Sequence, residues 1–139
     1  MKSKKIVLAL LLMMVLAVIV SACQPSVGEA KQEFCEKLNK VDSAVEQLKS
    51  VDANTSIEDA KKAKEDLAKA WQELSDAKKQ LEGVQMGASE EAYNSMVKDV
   101  EDSVTGGMTL SDASQTIVSS AKKLSAELKA INTTICGVK

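Results

Sequence analysis

Apolar residues recur at helical spacing through most of the chain, after one continuous apolar run near its start. The run covers Ile6–Val20, and an amphipathic pattern begins at about residue 29. Apolar side chains three or four positions apart lie on one face of an α-helix. The first stripe predicts a helix over about 29–50, and its members are Phe34, Leu38, Val41, Val45 and Leu48.

Two further helices follow from the same spacing and from residues that start or stop helices. The second begins after Thr55 or Ser56, whose hydroxyl oxygens are suited to an N-cap, and ends near Gly83, a residue type common just past a C-terminus. The third is predicted over about 90–104, opened by Ser89. Its inward residues are predicted to be Tyr93, Met96, Val97, Val100 and Val104.

A fourth helix is predicted over about 110–135, where Thr109 and Asp112 have the spacing of a helix cap. Four amphipathic helices with short connections predict an all-α fold, an antiparallel up-down-up-down four-helix bundle. The third helix is the shortest, at about 22 Å from 1.5 Å per residue. The alternative is therefore a three-helix core with a short helix lying across it.

Composition limits the chemistry that this domain can perform. The 139 residues include 18 lysines, no arginine and no histidine, and the net charge is −2. Without histidine, the side chain that most often transfers protons near neutral pH is missing. Without arginine or a basic excess, binding to nucleic acid is disfavoured. We expect no enzyme, no cofactor and no metal site.

The N-terminus has the features of an export signal. Three lysines within residues 1–5 precede the apolar run, and Val20-Ser21-Ala22-Cys23 follows it. This segment resembles the lipobox of bacterial lipoproteins, in which an aliphatic residue and two small residues precede a cysteine. The resemblance implies cleavage after Ala22 and a diacylglycerol, with palmitate-type acyl chains, on Cys23. An uncleaved signal anchor is the alternative.

The lipobox also divides the chain. Residues 1–22 become a signal peptide, 23–30 a lipidated tether, and 31–139 the helical bundle domain. In lipoproteins, an aspartate directly after the lipidated cysteine tends to retain the protein at the inner membrane. Gln24 occupies that position here. The resemblance therefore implies a lipid-anchored protein on the extracytoplasmic side of the cell membrane, or of the outer membrane where the host has one.

Once Cys23 is lipidated, Cys35 and Cys136 remain, and an even number of cysteines in an exported chain favours a disulfide. Cys35 lies near the start of the first predicted helix, and Cys136 follows the end of the fourth. In an antiparallel bundle these two ends meet at one pole when the number of helices is even. We therefore predict a Cys35–Cys136 disulfide, and two unpaired buried thiols are the alternative.

Other candidate sites have simpler interpretations. The acidic run Asp99-Val100-Glu101-Asp102 lacks the spacing and the six to eight oxygens of a calcium site, so an acidic helix face is the favoured interpretation. Met86, Met96 and Met108 are interpreted as packing residues rather than copper ligands. Trp71 is expected at the half-buried edge of the core.

The mature part also resembles small helical-bundle lipoproteins of bacteria with one disulfide, through Phe34-Cys35 at the first helix and Cys136 at the last. This resemblance implies no particular activity. We therefore expect a membrane-anchored, non-catalytic module that binds a protein or another component of the cell envelope. The alternative is a carrier of a small apolar ligand inside the bundle, with Met96, Tyr93 and Trp71 near its wall.

Overall fold

A computed structural model describes residues 25–106 and 109–137 of the chain. This part forms an all-α four-helix bundle. Its helices are α1 (Val27–Lys49), α2 (Ile57–Lys78), α3 (Gly87–Thr105) and α4 (Leu110–Ile131), and α4 continues into a π-helical turn, Asn132–Cys136. Within the described residues, no helix combines the length and the apolar character needed to cross a membrane.

The helices run up, down, up and down, as predicted. Lys37 in the middle of α1 pairs with Glu73 in the second half of α2 at 3.0 Å, and Lys78 at the end of α2 pairs with Glu90 at the start of α3 at 3.1 Å. Extensive contacts join α1 to α2, α3 to α4, and α1 to α4, while α2 and α3 touch least. The alternative of a short helix crossing a three-helix core is wrong, because α3 has 19 residues and packs along α4.

Apolar side chains from all four helices fill one continuous core. The largest fully buried ones include Phe34, Leu38 and Leu48 of α1, Leu67 and Leu74 of α2, Met96 and Val100 of α3, and Leu124 and Leu128 of α4. Alanines occupy much of the remaining buried surface, especially on α2. Small side chains let helix axes approach closely, so the helices pack against each other with little space between them.

The first helix begins earlier than predicted, because Ser26 and Glu29 form a capping box. The Ser26 hydroxyl accepts from the Glu29 backbone N–H at 3.3 Å, and the Glu29 carboxylate accepts from the Ser26 N–H at 2.9 Å. The reciprocal pair satisfies two of the backbone donors that a helix start leaves open. Residues 27–30, predicted as tether, are therefore the first turn of α1, and Ala30 is buried.

Two other helix starts match the predicted caps. Ser56 is the N-cap of α2, and its hydroxyl accepts from the Asp59 N–H at 3.0 Å. Thr109 is the N-cap of α4, and its hydroxyl accepts from the Asp112 N–H at 3.1 Å. In both cases a short side-chain oxygen satisfies an otherwise unpaired backbone donor.

The start of α3 differs from the prediction. The helix begins at Gly87 with Met86 at the N-cap position and no side-chain cap, so Ser89 is not the cap. Instead, Ser89 is buried in the first turn and donates its hydroxyl to the Met86 carbonyl at 2.8 Å. The buried face of α3 also differs from the predicted one, because Tyr93 is only partly buried. The buried residues of α3 are Ser89, Ala92, Met96, Val100 and Ser103.

The ends of α2 and α4 also fall earlier than predicted. The second helix stops at Lys78, and Gly83 lies in the following turn with φ of 83°. The regular part of α4 stops at Ile131, and the π-helical turn ends against Gly137, which has φ of 72°. Glycine adopts positive φ without the steric penalty of a side chain, which suits Gly83 to the turn after α2 and Gly137 to the end of the π-helical turn.

Candidate functional site: the two poles of the bundle

The predicted disulfide between Cys35 and Cys136 is present, and the two Cα atoms lie 5.9 Å apart. It joins the start of α1 to the end of the π-helical turn, so both ends of the described chain meet at one end of the bundle. We call this end the disulfide pole, formed by residues 25–35, 77–90 and 127–137. The predicted signal peptide and the predicted lipid site, Cys23, lie outside the described residues.

The disulfide pole carries a shallow cleft and almost balanced charge. The cleft has a volume of about 350 Å³ and runs between the loop before α3 and the end of α4. Its lining includes Gly83, Gln85, Met86, Ile131, Thr134 and Ile135. The three segments of this pole contain four lysines against five acidic residues. Val27, at the edge of the disulfide pole, is 80% exposed.

The other end of the bundle is strongly acidic. It consists of residues 50–60, 101–106 and 109–114, and we call it the acidic pole. These segments contain six acidic residues and no lysine, while Lys49, Lys61, Lys62 and Lys64 lie just outside them on α1 and α2, and Lys64 pairs with Glu101. The acidic residues are Asp52, Glu58, Asp59, Glu101, Asp102 and Asp112. The net charge therefore differs between the poles by five units, −6 against −1.

Hydrogen bonds shape the loop that connects α1 to α2 at the acidic pole. The Asp52 carboxylate accepts from the Asn54 N–H at 2.8 Å and from the Thr55 hydroxyl at 3.1 Å, and the same hydroxyl accepts from the Asp52 N–H at 2.9 Å. The backbone bond from Asn54, followed by the bond from Thr55, lowers the pKa of Asp52 below its ordinary value. The loop is thus held by the ionised form of one carboxyl group.

An apolar cleft opens beside this loop, between the starts of α2 and α4 and the end of α3. It has a volume of about 50 Å³. Its apolar lining consists of Val51, Ile57, Ala60, Val104, Ala113 and Ile117. Ile57 is 46% exposed at the rim. Two polar grooves adjoin the cleft, since one shares Val51 with it and the other shares Val104.

Charged side chains bridge the α1–α2 side of the bundle. The Glu73 carboxylate accepts from the Lys37 ammonium at 3.0 Å and has the Lys40 ammonium at 3.5 Å. The hydrogen bond from Lys37 lowers the pKa of Glu73, and the same bond raises the pKa of Lys37. Both side chains are partly exposed, and such pairs near solvent add little stability, so we interpret this network as fixing the pairing of the two helices.

Trp71 of α2 and Tyr93 of α3 stack face to face, with ring centroids 4.4 Å apart and planes 3° from parallel. Trp71 is half-buried at the edge of the core, as predicted. Partial burial of Tyr93 raises its pKa. Because α2 and α3 share few other contacts, this aromatic pair is a main link between them.

The residues of the predicted ligand wall are engaged in packing. Met96 has no exposed surface and belongs to the core, as does Met86 at 3% exposure, which confirms their interpretation as packing residues. Met108 lies outside the described residues. None of the four clefts found in the described part of the chain is lined by Met96, Tyr93 or Trp71.

The acidic run of α3 is divided among separate partners. Asp99 accepts a hydrogen bond from the Ser120 hydroxyl of α4, and Glu101 pairs with Lys64 of α2 at 2.8 Å. Asp102 is exposed to solvent. Across residues 25–106 and 109–137, no three cysteine or carboxylate side chains are grouped in a way that would hold a metal ion.

Comparison with models of protein families, with curated proteins and with solved structures found no match to this chain.

Sequence patterns predict some structural features of the bundle and its poles but not others. The S-x-x-E spacing of Ser26 and Glu29 is a capping-box signal that predicts the true start of α1. The exposure of Ile57 has no such signal, because an apolar residue just after an N-cap can face the core or the solvent. The Trp71–Tyr93 stack depends on the relative rotation of two helices, which spacing within each helix does not give.

Proposed function

We propose that the protein is a membrane-anchored, non-catalytic lipoprotein of the extracytoplasmic side, whose helical bundle binds a protein partner of the cell envelope. Cys23 would carry the diacylglycerol, and the bundle would present its surface close to the membrane. The proposal joins the lipobox resemblance of residues 20–23 to the geometry of the described domain.

The start of α1 is the observation that carries this proposal. Its N-cap, Ser26, stands three positions after Cys23. Three residues reach at most about 10 Å when fully extended. A lipid on Cys23 would therefore hold the disulfide pole at the bilayer, since α1 begins at that pole. Two acyl chains are sufficient for stable anchoring of a protein.

The same arrangement directs the acidic pole away from the bilayer. A helix of 23 residues, such as α1, spans about 34 Å. The surface that a partner meets first would then be the acidic pole, with the cleft beside Ile57. Tethering raises the local concentration of such a surface, so that useful binding does not require high affinity.

The carrier function has less support. Its predicted wall residue Met96 is fully buried, and Trp71 and Tyr93 stack on each other. Native mass spectrometry of the domain from Pro25 to Lys139, purified from a bacterial envelope, distinguishes the two functions. A clean mass of the chain alone favours the interaction module. A co-purifying small molecule of defined mass favours the carrier.

Lipidation is tested on the full chain in a bacterial host. Metabolic labelling with a palmitate analogue should tag the wild type and leave the Cys23→Ser variant untagged. The variant should also leave the membrane fraction or remain as an uncleaved precursor. Cys35→Ser is the matched control, because it removes a cysteine without touching the lipobox, and it should keep the label. Equal labelling of wild type and Cys23→Ser would contradict the proposal.

A further inference from the structure

We propose that the acidic pole docks a protein segment in which one apolar side chain is flanked by lysines or arginines. This inference rests on the proposed function, because it names the partner chemistry of the interaction module. The apolar side chain would enter the cleft beside Ile57, and the basic residues would face the surrounding carboxylates.

The cleft offers an apolar contact that the fold itself leaves open. Ile57 is the first residue of α2, and 46% of its surface remains exposed although apolar residues line the cleft behind it. Val51 and Val104 extend the same surface and are only partly buried. Burial of apolar area is the main favourable term in protein association. A single aliphatic side chain matches the small volume of about 50 Å³.

The charge around the cleft exceeds what the fold requires. Asp59 and Asp112 lie in the first turns of α2 and α4, next to their caps, and Asp52 organises the loop. Glu58 also lies in the first turn of α2, and Asp102 is the carboxylate of this pole without such a role. Both are exposed and take part in none of the ion pairs found in the described part of the chain, whereas Glu101 is paired with Lys64. Carboxylates outside ion pairs increase the negative field at this pole, which favours a basic partner.

Other occupants fit the pole less well. A second copy would bring the same net charge of −6 against it, and like charges facing each other oppose association. An anionic bilayer would be repelled for the same reason. A neutral apolar molecule could enter the cleft but would leave the surrounding charge without a role. These occupants are outcomes of the experiment below.

The test uses the domain from Pro25 to Lys139, because the described residues contain a complete core from all four helices. The probe is a synthetic 14-residue leucine–lysine peptide in which one central leucine is flanked by lysines and the remaining positions are serine. Two peptides of the same length serve as controls: one in which glutamate replaces each lysine, and one of serine and lysine alone. Binding is followed by amide chemical shifts in NMR titrations. The leucine–lysine peptide should bind saturably, with shifts concentrated at residues 50–60 and 101–106, and at least about tenfold more tightly than either control.

Matched variants separate the two poles. Ile57→Ser should weaken binding of the leucine–lysine peptide about tenfold. Val27→Ser, which replaces an exposed aliphatic residue at the disulfide pole, should change the affinity for the peptide less than twofold. The charge reversal Glu58→Lys with Asp102→Lys should weaken binding by at least tenfold. Glu33→Lys with Glu82→Lys changes the net charge equally at the disulfide pole and should have a much smaller effect.

Each contrary result overturns the inference. Shifts spread over the whole bundle, or equal losses from the two charge-reversed pairs, would show non-specific attraction by net charge. Equal binding of the serine–lysine peptide would remove the apolar cleft from the proposal. Concentration-dependent shifts at the acidic pole without any peptide would identify a second copy as the occupant. A lipid-labelled protein that fails to bind the peptide would contradict this inference while leaving the lipoprotein proposal supported.

Discussion

Each pole of the bundle contains four helix ends, and the two poles connect these ends by different means. At the disulfide pole, a covalent bond joins α1 to the end of the chain, and the charges nearly balance. At the acidic pole, the connections rely on Ser56, Thr109 and the hydrogen bonds of Asp52, and acidic residues are in excess, with Glu101 paired to Lys64. In the proposed function, the disulfide pole adjoins the anchor and the acidic pole presents the binding surface.

Reducing the disulfide should give the largest loss of stability. The bond closes a loop of about 100 residues, for which the chain-entropy relation gives up to about 4.7 kcal/mol. That is a large share of the 5–15 kcal/mol typical of a domain, so reduction should lower the Tm by more than about 10 °C. Differential scanning calorimetry with and without reductant measures the shift.

Hydrogen exchange shows which part of the bundle loses stability when the disulfide is reduced. After reduction, amides of the first turns of α1 and the last turn of α4 should lose protection before those of the α1–α2 connection. The Cys35→Ser, Cys136→Ser double variant provides the control, because it should reproduce the reduced protein without added reductant. An unchanged Tm would mean that packing and caps alone hold both poles.

Removing the caps should give an effect of intermediate size at the acidic pole. Ser56→Ala and Thr109→Ala each delete the side-chain acceptor for one backbone donor, at a cost of about 1 kcal/mol apiece. Because the two caps start different helices, their effects should add to about 2 kcal/mol in urea unfolding. Ser43→Ala is the control, since that hydroxyl only bonds the Asn39 carbonyl within α1. A control loss as large as the cap losses would contradict the role of the caps.

The sequence predicted most of the fold because its strongest signals are local. Stripes of apolar residues, the Ser56 and Thr109 caps, and the parity of helix ends together give four antiparallel helices and the Cys35–Cys136 bond. Each of these depends on spacing along the chain, or on the count of elements, rather than on how neighbouring helices are rotated. The same local signals place Met96 in the core.

The predictions failed where tertiary packing, rather than local sequence, determines the structure. The start of α3 was misplaced because Ser89 resembles a cap in sequence, whereas burial against the core makes it bond the Met86 carbonyl instead. Small residues such as Ala92 and Ser103 then face inward, since the bundle needs close packing there more than bulk. The apolar cleft at the acidic pole was missed because it joins the start of α2 to the end of α3 and the start of α4, which lie far from α2 in sequence.

Acid should weaken a local contact at each pole. Hydrogen bonds from Asn54 and Thr55 lower the pKa of Asp52, and those from Ser26 lower the pKa of Glu29. A carboxyl group whose pKa is lowered by folding adds stability above its unfolded pKa, and this is lost as the pH falls through the folded pKa. As the pH falls below the ordinary carboxyl pKa of about 4, exchange protection should therefore fall in the Asp52 loop, while the disulfide still holds α1 beyond its first turn. The variants Asp52→Asn and Glu29→Gln should each flatten the pH response at their own pole only, and a flattened response at both poles from either variant would exclude this local assignment.

The smallest effect should come from Val27, which with Ile57 is one of the large aliphatic residues exposed within residues 25–106 and 109–137. Val27 and Ile57 are the first residues of α1 and α2, and they are 80% and 46% exposed. Val27→Ser removes little buried surface, so the free energy of unfolding should change by less than about 0.5 kcal/mol. Ile57 keeps about half of its surface buried, so Ile57→Ser should cost about 1 kcal/mol. Leu67→Ala, at a fully buried position of the same helix as Ile57, should cost about 2–5 kcal/mol. Urea unfolding of the three variants gives the comparison. If Ile57→Ser approached the cost of Leu67→Ala, Ile57 would be a structural residue of the acidic pole, and its exposure would no longer indicate a binding surface.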